Sequence, residues 1–216
     1  MIEIMKGGIV MSLYENLVQR FGYDVPILTT EINYKSYSRP WIYKEMNRLC
    51  ESGSVVHYDK GVYYIPTQTS LGQSLLNPLK VIEKKYLADN GEVFGYFSGI
   101  SLLNRMGIST QLPSVLEIYT NKETSQVREV KVGRQKVVLR KARTKITSDN
   151  VLILSFLEMM NAVTPSYFNE ERKRVVRDYI KQNRITGKDI TKYAPYFPDK
   201  VMRNLIESEI IYDVTR

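Results

Sequence analysis

Cysteine and histidine are almost absent from this chain, whose 216 residues include one of each, Cys50 and His57. A single cysteine excludes an intramolecular disulfide and every multi-cysteine zinc or iron–sulfur site. A single histidine excludes metal sites built from several histidines, and any catalytic triad would depend on this one imidazole. Cys50 falls on the apolar stripe of a predicted helix and His57 has no partner nearby in the sequence. We therefore expect Cys50 to be a small buried hydrophobic residue and His57 to be structural or a surface contact, and neither to be catalytic.

Long apolar runs are also missing. The most apolar stretch of the C-terminal half, Val151 to Leu157, is interrupted at Ser155 and is far shorter than the ~20 residues of a membrane helix. Met1 to Val10 lacks the apolar core and the small-residue cleavage site of a secretory signal. We therefore expect a cytoplasmic protein without a transmembrane helix. Codons for Lys6-Gly7-Gly8 can read as a ribosome-binding sequence, which makes Met11 the expected native start.

Acidic residues are outnumbered, and the excess of basic residues is confined to one part of the chain. The composition is 43% apolar and 25% charged, as in folded globular proteins, with a net charge of +8. Residues 1–66 contain equal numbers of basic and acidic side chains, so the excess belongs to residues 67–216. The segment from Lys122 to Lys145 is the most basic, and its candidate regulatory face consists of Arg128, Lys131, Arg134, Lys136, Arg140, Lys141 and Arg143. Such density indicates an acidic partner, either nucleic acid or an acidic protein surface. The alternative is a charged sheet edge that prevents aggregation.

Residues 11–66 carry the clearest periodicity and predict a winged helix-turn-helix. Apolar residues repeat at helical spacing after the capping residues Ser12 and Ser38, and a tight turn at Asp59-Lys60-Gly61 joins two alternating segments. The predicted elements are a helix from Leu13 to Phe21, a second helix from Glu31 to Lys35, a third that follows the N-cap Ser38 and stops at Gly53, and strands at Val55–Tyr58 and Val62–Ile65.

The third helix has the polar residues of a recognition helix on one side. Its apolar residues fall on the opposite side, and they are Ile42, Met46, Leu49 and Cys50. Arg48 is expected to pair with guanine and Asn47 with adenine, whereas lysine and arginine at the periphery contact phosphates. The candidate DNA-binding residues are Arg39, Tyr43, Lys44, Asn47, Arg48 and Lys60. The alternative is a solvated face in a winged helix used for protein contacts, which the zero net charge of this region keeps open.

Residues 67–216 predict a mixed α+β domain, so the fold class of the chain is α+β. Thr67 to Asn77 has the composition of a linker. The predicted elements that follow are a helix at 78–88, strands at 115–120, 126–132 and 135–140, and helices at 149–163, 170–182, after Gly187, and at 199–208.

Candidate chemistry in this domain is sparse. Gly95 to Gly99 has the wrong spacing for a nucleophile elbow, and no phosphate-binding glycine loop is present. Glu117, followed by Glu129-Val130-Lys131 on the next predicted strand, has the residue types of a Mg²⁺-dependent nuclease core. This remains the enzyme alternative, and our main expectation is no catalytic residue, no metal and no cofactor.

Two stretches of the chain have the order of motifs that occur together in one protein family. The first runs from Ser38-Arg39-Pro40-Trp41-Ile42-Tyr43-Lys44 through Leu49 and Gly53 to Gly61-Val62-Tyr63-Tyr64-Ile65-Pro66. The second contains Ser98-Gly99-Ile100-Ser101-Leu102-Leu103, then Gly107-Ile108-Ser109-Thr110-Gln111-Leu112-Pro113 and Glu117-Ile118-Tyr119-Thr120-Asn121. Together they resemble the AbiEi family of antitoxins and transcriptional repressors from type IV toxin–antitoxin operons, although Asp59-Lys60-Gly61 departs from that family's basic wing.

The resemblance implies a DNA-binding autorepressor and antitoxin that counteracts a nucleotidyltransferase-like toxin. Residues 11–66 would bind double-stranded DNA of the chain's own promoter, as two copies on an inverted repeat, and residues 67–216 would neutralise the toxin. The alternatives are a winged-helix regulator or adapter without a toxin partner, and the nuclease described above.

Overall fold

A computed structural model describes residues 11–34 and 37–214 of the chain, which form an α+β protein of two compact units. The first unit ends at Ile82 and the second begins at Glu83. The expected start at Met11 concerns residues 1–10, which lie outside the described residues. Within the described ranges, no helix has both the length and the apolar character needed to cross a membrane.

In the described part of the first unit, the helices Leu13–Phe21 and Arg39–Glu51 pack on a three-stranded antiparallel sheet with the strand order β1 (Ile27–Leu28), β3 (Val62–Tyr64), β2 (Val56–Asp59). Its core is formed by fully buried side chains from both layers, including Leu17, Ile27, Met46 and Ile65. The elements in chain order are α1 (Leu13–Phe21), β1 (Ile27–Leu28), a 3-10 turn (Thr29–Glu31), α2 (Arg39–Glu51), β2 (Val56–Asp59), β3 (Val62–Tyr64), β4 (Gln68–Thr69), β5 (Gly72–Gln73) and α3 (Pro78–Tyr86), which continues into the second unit.

Capping residues set the bounds of both helices, as the sequence predicts. Ser12 and Glu15 form a reciprocal capping box at the start of α1, and Gly22 ends this helix at a φ of +72°. The hydroxyl of Ser38 accepts a hydrogen bond from the Trp41 amide at the start of α2, where Pro40 occupies the first turn.

The predicted helix at Glu31 to Lys35 is wrong over its described part. Of these residues only Glu31 is helical, as the last residue of a single 3-10 turn that begins at Thr29. The carboxylate of Glu31 accepts a hydrogen bond from the Leu28 amide at 2.8 Å, which closes the turn on itself. The chain then becomes extended at Ile32, and the side chains of Ile32 and Tyr34 enter the core. Burial of these two side chains therefore outweighs the local helical pattern. Lys35 lies outside the described residues.

The predicted linker Thr67 to Asn77 is instead a hairpin, β4–β5, that is bound to the first unit. Asp24 holds it, because its carboxylate accepts hydrogen bonds from the backbone and hydroxyl of Thr67 and from the hydroxyl of Ser74. The Tyr64 hydroxyl donates to the Ser74 carbonyl at 2.9 Å, and Lys80 Nζ donates to the Asp24 carbonyl at 2.9 Å. Because these bonds attach the hairpin to the first unit, the boundary between the two units lies at 82/83 and not at the predicted 66/67.

The second unit is built on a four-stranded mixed sheet with the strand order β10-β11-β9-β8. Strands β9 and β11 run parallel, and the outer pairs are antiparallel. The elements are β6 (Ala88–Asp89), β7 (Glu92–Val93), β8 (Gly95–Ser98), α4 (Gly99–Arg105), β9 (Val115–Thr120), β10 (Val127–Val132), β11 (Gln135–Lys141), α5 (Val151–Ala162), α6 (Glu170–Gln182), α7 (Gly187–Tyr193), α8 (Lys200–Glu207) and α9 (Ile211–Val214). The predicted strands and long helices are confirmed to within about two residues, whereas β8 and α4 were not predicted.

Helix α5 forms the centre of this unit, because every residue from Ile153 to Met160 is buried. The backbone at the end of α3 packs tightly against β8 at Gly95. A Cβ at this glycine would lie 2.0 Å from the Tyr86 carbonyl oxygen. Gly99 begins α4 at a φ of +55°, and a Cβ there would lie 2.6 Å from a carboxylate oxygen of Glu117. A larger residue at Gly95 would therefore require movement of the backbone. At Gly99 it would require the Glu117 side chain to shift, and the positive φ would strain the new residue in any case.

We expect Asp24→Asn to release the β4–β5 hairpin. The hydroxyls of Ser74 and Thr67 lower the pKa of the Asp24 carboxyl, so the ionised form stabilises the fold above the unfolded pKa and this contribution is lost as the pH falls through the lower folded pKa. The protection of the Thr67 amide from hydrogen exchange, relative to its intrinsic rate at each pH, should fall at neutral pH in the variant and only in acid in the unchanged protein. Asp178→Asn, at an exposed position of α6, is the control. Equal exchange at Thr67 in all three proteins would contradict this role of Asp24.

Candidate functional site

Helix α2 separates its apolar and polar residues onto two faces, as the periodicity predicts. Ile42, Met46 and Leu49 are buried in the core of the first unit. The opposite face is a continuous exposed strip, called here the α2 strip, which consists of Tyr43, Lys44, Asn47 and Arg48. Cys50 is half-buried at the margin of the core, and burial raises the pKa of its thiol, which makes it a poor nucleophile.

Arg48 is both exposed and paired, a combination that the helical pattern of α2 did not predict. Its side chain is 73% exposed, yet Nη2 and Nε donate to the carboxylate of Glu45 at 2.6 and 3.1 Å. The hydrogen bond and charge of Glu45 raise the pKa of Arg48. The i,i+3 spacing of Glu45 and Arg48 is the sequence pattern from which this ion pair could have been predicted. A base contact by Arg48 must therefore replace or share the contact with Glu45.

The other two candidate DNA-binding residues, Arg39 and Lys60, have different structural roles, and both are connected to Thr29, Arg39 directly and Lys60 through the adjacent Gly61. Arg39 Nη1 donates to the Thr29 carbonyl at 2.9 Å and joins the start of α2 to the 3-10 turn. Lys60 is exposed in the turn between β2 and β3, and its amide donates to the carboxylate of Asp59 at 2.7 Å. The next residue, Gly61, has a φ of +70° and accepts two hydrogen bonds from Thr29. The same turn residue thus anchors the hairpin to the rest of the unit.

An aromatic stack, which the sequence analysis did not identify, flanks the start of α2. The rings of Tyr37 and Trp41 are stacked with centroids 3.9 Å apart, and Tyr34 stacks on Tyr37 at 5.5 Å. Tyr37 remains 40% exposed. The stack therefore adds a rigid, partly exposed aromatic surface at the start of α2.

The basic residues of the second unit do not form the single face that their density in the sequence predicts. Alternation along the paired strands places Lys131, Lys136 and Arg140 on one side of the sheet and Arg128 on the other. Three of the seven are engaged in ion pairs, which are Arg128 with Glu123, Arg140 with Glu117 and Arg143 with Glu158. The exposed remainder is Lys131, Arg134, Lys136 and Lys141.

The residues of the nuclease alternative share a face but do not converge. Glu117 and Glu129 both lie opposite Val138, on either side of β11, so their strands are two spacings or about 10 Å apart. The Glu117 carboxylate is bound by Arg140 at 2.9 Å. In the described ranges, no three Asp, Glu, His or Cys side chains are grouped closely enough to hold a metal ion.

A buried polar cluster links α5 to the sheet. Glu158, which is 3% exposed, accepts hydrogen bonds from the Ser98 hydroxyl at 2.9 Å and from the Asn161 amide at 3.3 Å. Its other oxygen lies 3.5 Å from Nε of Arg143. Arg143 in turn donates to the Tyr119 hydroxyl at 2.8 Å, and its guanidinium lies 4.9 Å from the centre of that ring. Burial raises the pKa of Glu158 even beside Arg143.

Two members of this cluster, Tyr119 and Arg143, line a basic cavity of about 430 Å³. Its lining includes Arg140, Lys141 and Arg143, with Tyr119 and Tyr196 as aromatic walls. Because the carboxylates that pair with the arginines lie outside this lining, the cavity presents cations and hydroxyls to a ligand. It has the chemistry to accept a small anion or an acidic side chain.

Residues of the second motif stretch have structural roles in the same unit. Ser98 binds Glu158, and the Thr120 hydroxyl donates to the Phe94 carbonyl at 3.1 Å. The Asn121 side chain exchanges two hydrogen bonds with the backbone of Ile146, which fastens the segment after β11 to the end of β9. These bonds explain the residue types of the motif without a catalytic role.

The match to one family model covers residues 26–187, which is most of the chain and includes both α2 and the buried polar cluster. The chain belongs to DUF6088. That family is described as one of unknown function, and no curated protein matches the chain. The family region of this DUF6088 member begins next to β1 and ends at the start of α7.

The pKa of Glu158 predicts a specific pH dependence of stability. Because the folded state raises this pKa, the folded protein binds the proton more tightly than the unfolded chain, and the free energy of unfolding declines as the pH rises from the ordinary value of 4.5 through the raised pKa. Glu158→Gln should remove this part of the decline, as measured by urea unfolding across that range. The exposed carboxyl of Glu171 provides the control variant, Glu171→Gln. A profile for Glu158→Gln that parallels the unchanged protein would contradict the prediction.

Proposed function

We propose that this protein is a DNA-binding transcriptional regulator that uses the first unit as a winged helix, represses its own promoter and acts as an antitoxin. The observation that carries the DNA-binding part is the α2 strip, a continuous exposed row of Tyr43, Lys44, Asn47 and Arg48 on a helix whose other face is fixed in the core. A helix held in this way presents polar side chains rigidly enough to enter a major groove.

The arrangement around α2 supports the winged-helix interpretation. The chain order is α1, β1, the 3-10 turn, α2 and the β2–β3 hairpin, and β1 pairs with β3 to close the small sheet. In this interpretation the 3-10 turn takes the place of the second helix, α2 is the recognition helix, and the β2–β3 hairpin is the wing with Lys60 in its turn.

The side chains of the α2 strip divide into two roles by their chemistry. Asn47 and Arg48 have the donor and acceptor groups that pair with adenine and guanine edges. Tyr43 and Lys44, together with Arg39 and Lys60, suit phosphate contacts that set the position on the duplex. Glu45 reinforces this division of roles. Its carboxylate holds the Arg48 guanidinium in a defined direction, and its negative charge repels phosphates.

The antitoxin part of the proposal rests on the resemblance to the AbiEi family. The basic cavity beside Arg143 and the exposed lysines of the sheet give the second unit a surface for an acidic partner, which in this proposal is a nucleotidyltransferase-like toxin. A regulator or adapter without a toxin remains the second candidate. A neighbouring nucleotidyltransferase gene, with loss of its toxicity on co-expression of this chain, would distinguish the two. The strand spacing between Glu117 and Glu129 gives no support to a nuclease.

The test of the DNA-binding proposal is fluorescence anisotropy on the chain's own upstream DNA and on a shuffled duplex, at low and physiological salt. Arg48→Ala should weaken binding to the upstream site by about 1–3 kcal/mol and have much less effect on the shuffled duplex, because a base contact is lost. Lys44→Ala should weaken both duplexes alike and flatten the salt dependence, because a phosphate contact is lost.

Two further variants serve as controls for this experiment. Glu45→Gln should strengthen binding to the shuffled duplex, since it removes a negative charge from the surface that faces DNA. Lys188→Ala, on α7 of the second unit, should leave both affinities unchanged. Equal and salt-sensitive binding to both duplexes by the unchanged protein would overturn the repressor proposal, and equal effects of Arg48→Ala on both duplexes would remove Arg48 from base recognition.

A further inference from the structure

The two edges of the sheet in the second unit differ in how they are protected. At the β8 edge, the amides of Phe94 and Gly95 donate to the Leu87 carbonyl, and all residues of β8 are buried. At the other edge β10 is exposed over most of its length, with Val127 52% exposed. Within residues 11–34 and 37–214, no strand pairs with the outer side of β10.

Strand β10 is regular enough to accept another strand. Its six residues pair with β11 in unbroken register from Val127 opposite Arg140 to Val132 opposite Gln135. It contains neither proline nor glycine, and no bulge twists it away from a partner. An edge of this kind leaves alternate amides and carbonyls free to form a new ladder of hydrogen bonds.

The charges on β10 are unbalanced within one chain. Lys131 lies directly opposite Lys136 on β11, and like charges at opposite positions destabilise a sheet. Glu129 lies on the same face, opposite the uncharged Val138. On this face of β10, therefore, Lys131 has a like charge across from it on β11, and Glu129 has no charged residue across from it.

We propose that two copies of this chain associate through β10, paired antiparallel about a two-fold axis at Val130, so that their four-stranded sheets join into one. In such a pair, residues opposite each other lie on the same face, and the residue on the axis meets its own copy. An axis at Arg128, Glu129 or Lys131 would place like charges together. An axis at either end of β10 would leave most of the strand unpaired.

The axis at Val130 is the register that the charges favour. Val130 packs against Val130 of the partner subunit, and Glu129 faces the partner subunit's Lys131. By symmetry Lys131 faces the partner subunit's Glu129, so each lysine gains, directly across from it, the opposite charge that Lys136 on β11 does not supply. The occupant that complements this edge in sequence and charge is thus a second copy of the same strand.

This inference does not rest on the proposed DNA binding, because the pairing needs no DNA. The primary experiment is sedimentation velocity of the full chain without DNA, from roughly 1 to 100 µM, the range expected for a small interface. The unchanged protein should sediment as a monomer–dimer equilibrium. Glu129→Lys and Lys131→Glu each place like charges opposite one another twice, and each should raise the dimer dissociation constant at least about tenfold, as expected for two repulsive contacts in place of two attractive ones.

The charge exchange supplies the decisive comparison. The double variant Glu129→Lys with Lys131→Glu restores opposite charges at both positions, so it should recover the dimer. Glu207→Lys and Lys188→Glu change the net charge by the same amounts at exposed positions of α8 and α7, and they should dimerise like the unchanged protein. Circular dichroism and thermal unfolding of every variant establish that an observed monomer is folded.

The register is tested separately by crosslinking in a Cys50→Ala background. Val130→Cys places two thiols opposite each other at the axis, and a short reagent with two maleimide groups, each of which adds one thiol as a thioether, should link them into a covalent dimer. Arg128→Cys places the thiols on opposite sides of the axis, so the same reagent should give little product. A monomeric unchanged protein at all concentrations, folded single variants that dimerise normally, a folded double variant that stays monomeric, or preferential linking at position 128 would each overturn the proposal.

Discussion

Burial of one carboxylate determines how the second unit is assembled. Helix α5 is surrounded by apolar side chains, and Glu158 is the charged residue that it carries into this environment. An isolated buried carboxylate is strongly unfavourable, so its partners must be held in place. Ser98 comes from the end of β8 and Arg143 from the segment after β11. Neutralising Glu158 therefore connects the central helix to both the sheet and the wall of the basic cavity.

The basic segment illustrates what charge density in a sequence can and cannot predict. Its excess of lysine and arginine correctly indicates a cationic region, because composition is independent of conformation. Which cations remain available depends on Glu117, Glu123 and Glu158, and two of these carboxylates are more than ten positions from the arginine that each one binds. Strand alternation then divides the rest between two faces. No local pattern contains either piece of information.

The same distinction explains which parts of the fold were predictable. Helices α1 and α2 follow from capping residues and from apolar spacing within a few turns, so they and the polar face of α2 were predicted from the sequence. The helix at Glu31 to Lys35 and the linker at Thr67 to Asn77 had reasonable local patterns and were wrong. Tertiary contacts decided both, through burial of Ile32 in one case and through hydrogen bonds to Asp24, 43 positions before Thr67, in the other. The contact of Arg48 with Glu45 was local but invisible to a count of polar residues.

Charge also connects the proposed DNA site with the β10 edge. The first 66 residues are electrically neutral overall, so the cations of the α2 strip and Lys60 can neutralise only a few phosphates. Phosphate neutralisation supplies much of the affinity for DNA, and a single copy with so few contacts would bind weakly. Two copies joined through β10 would make the second contact intramolecular and raise the affinity without any new contact to DNA. In that case the four charges of the strand pairing, far along the chain from α2, would set how strongly the protein holds an inverted repeat.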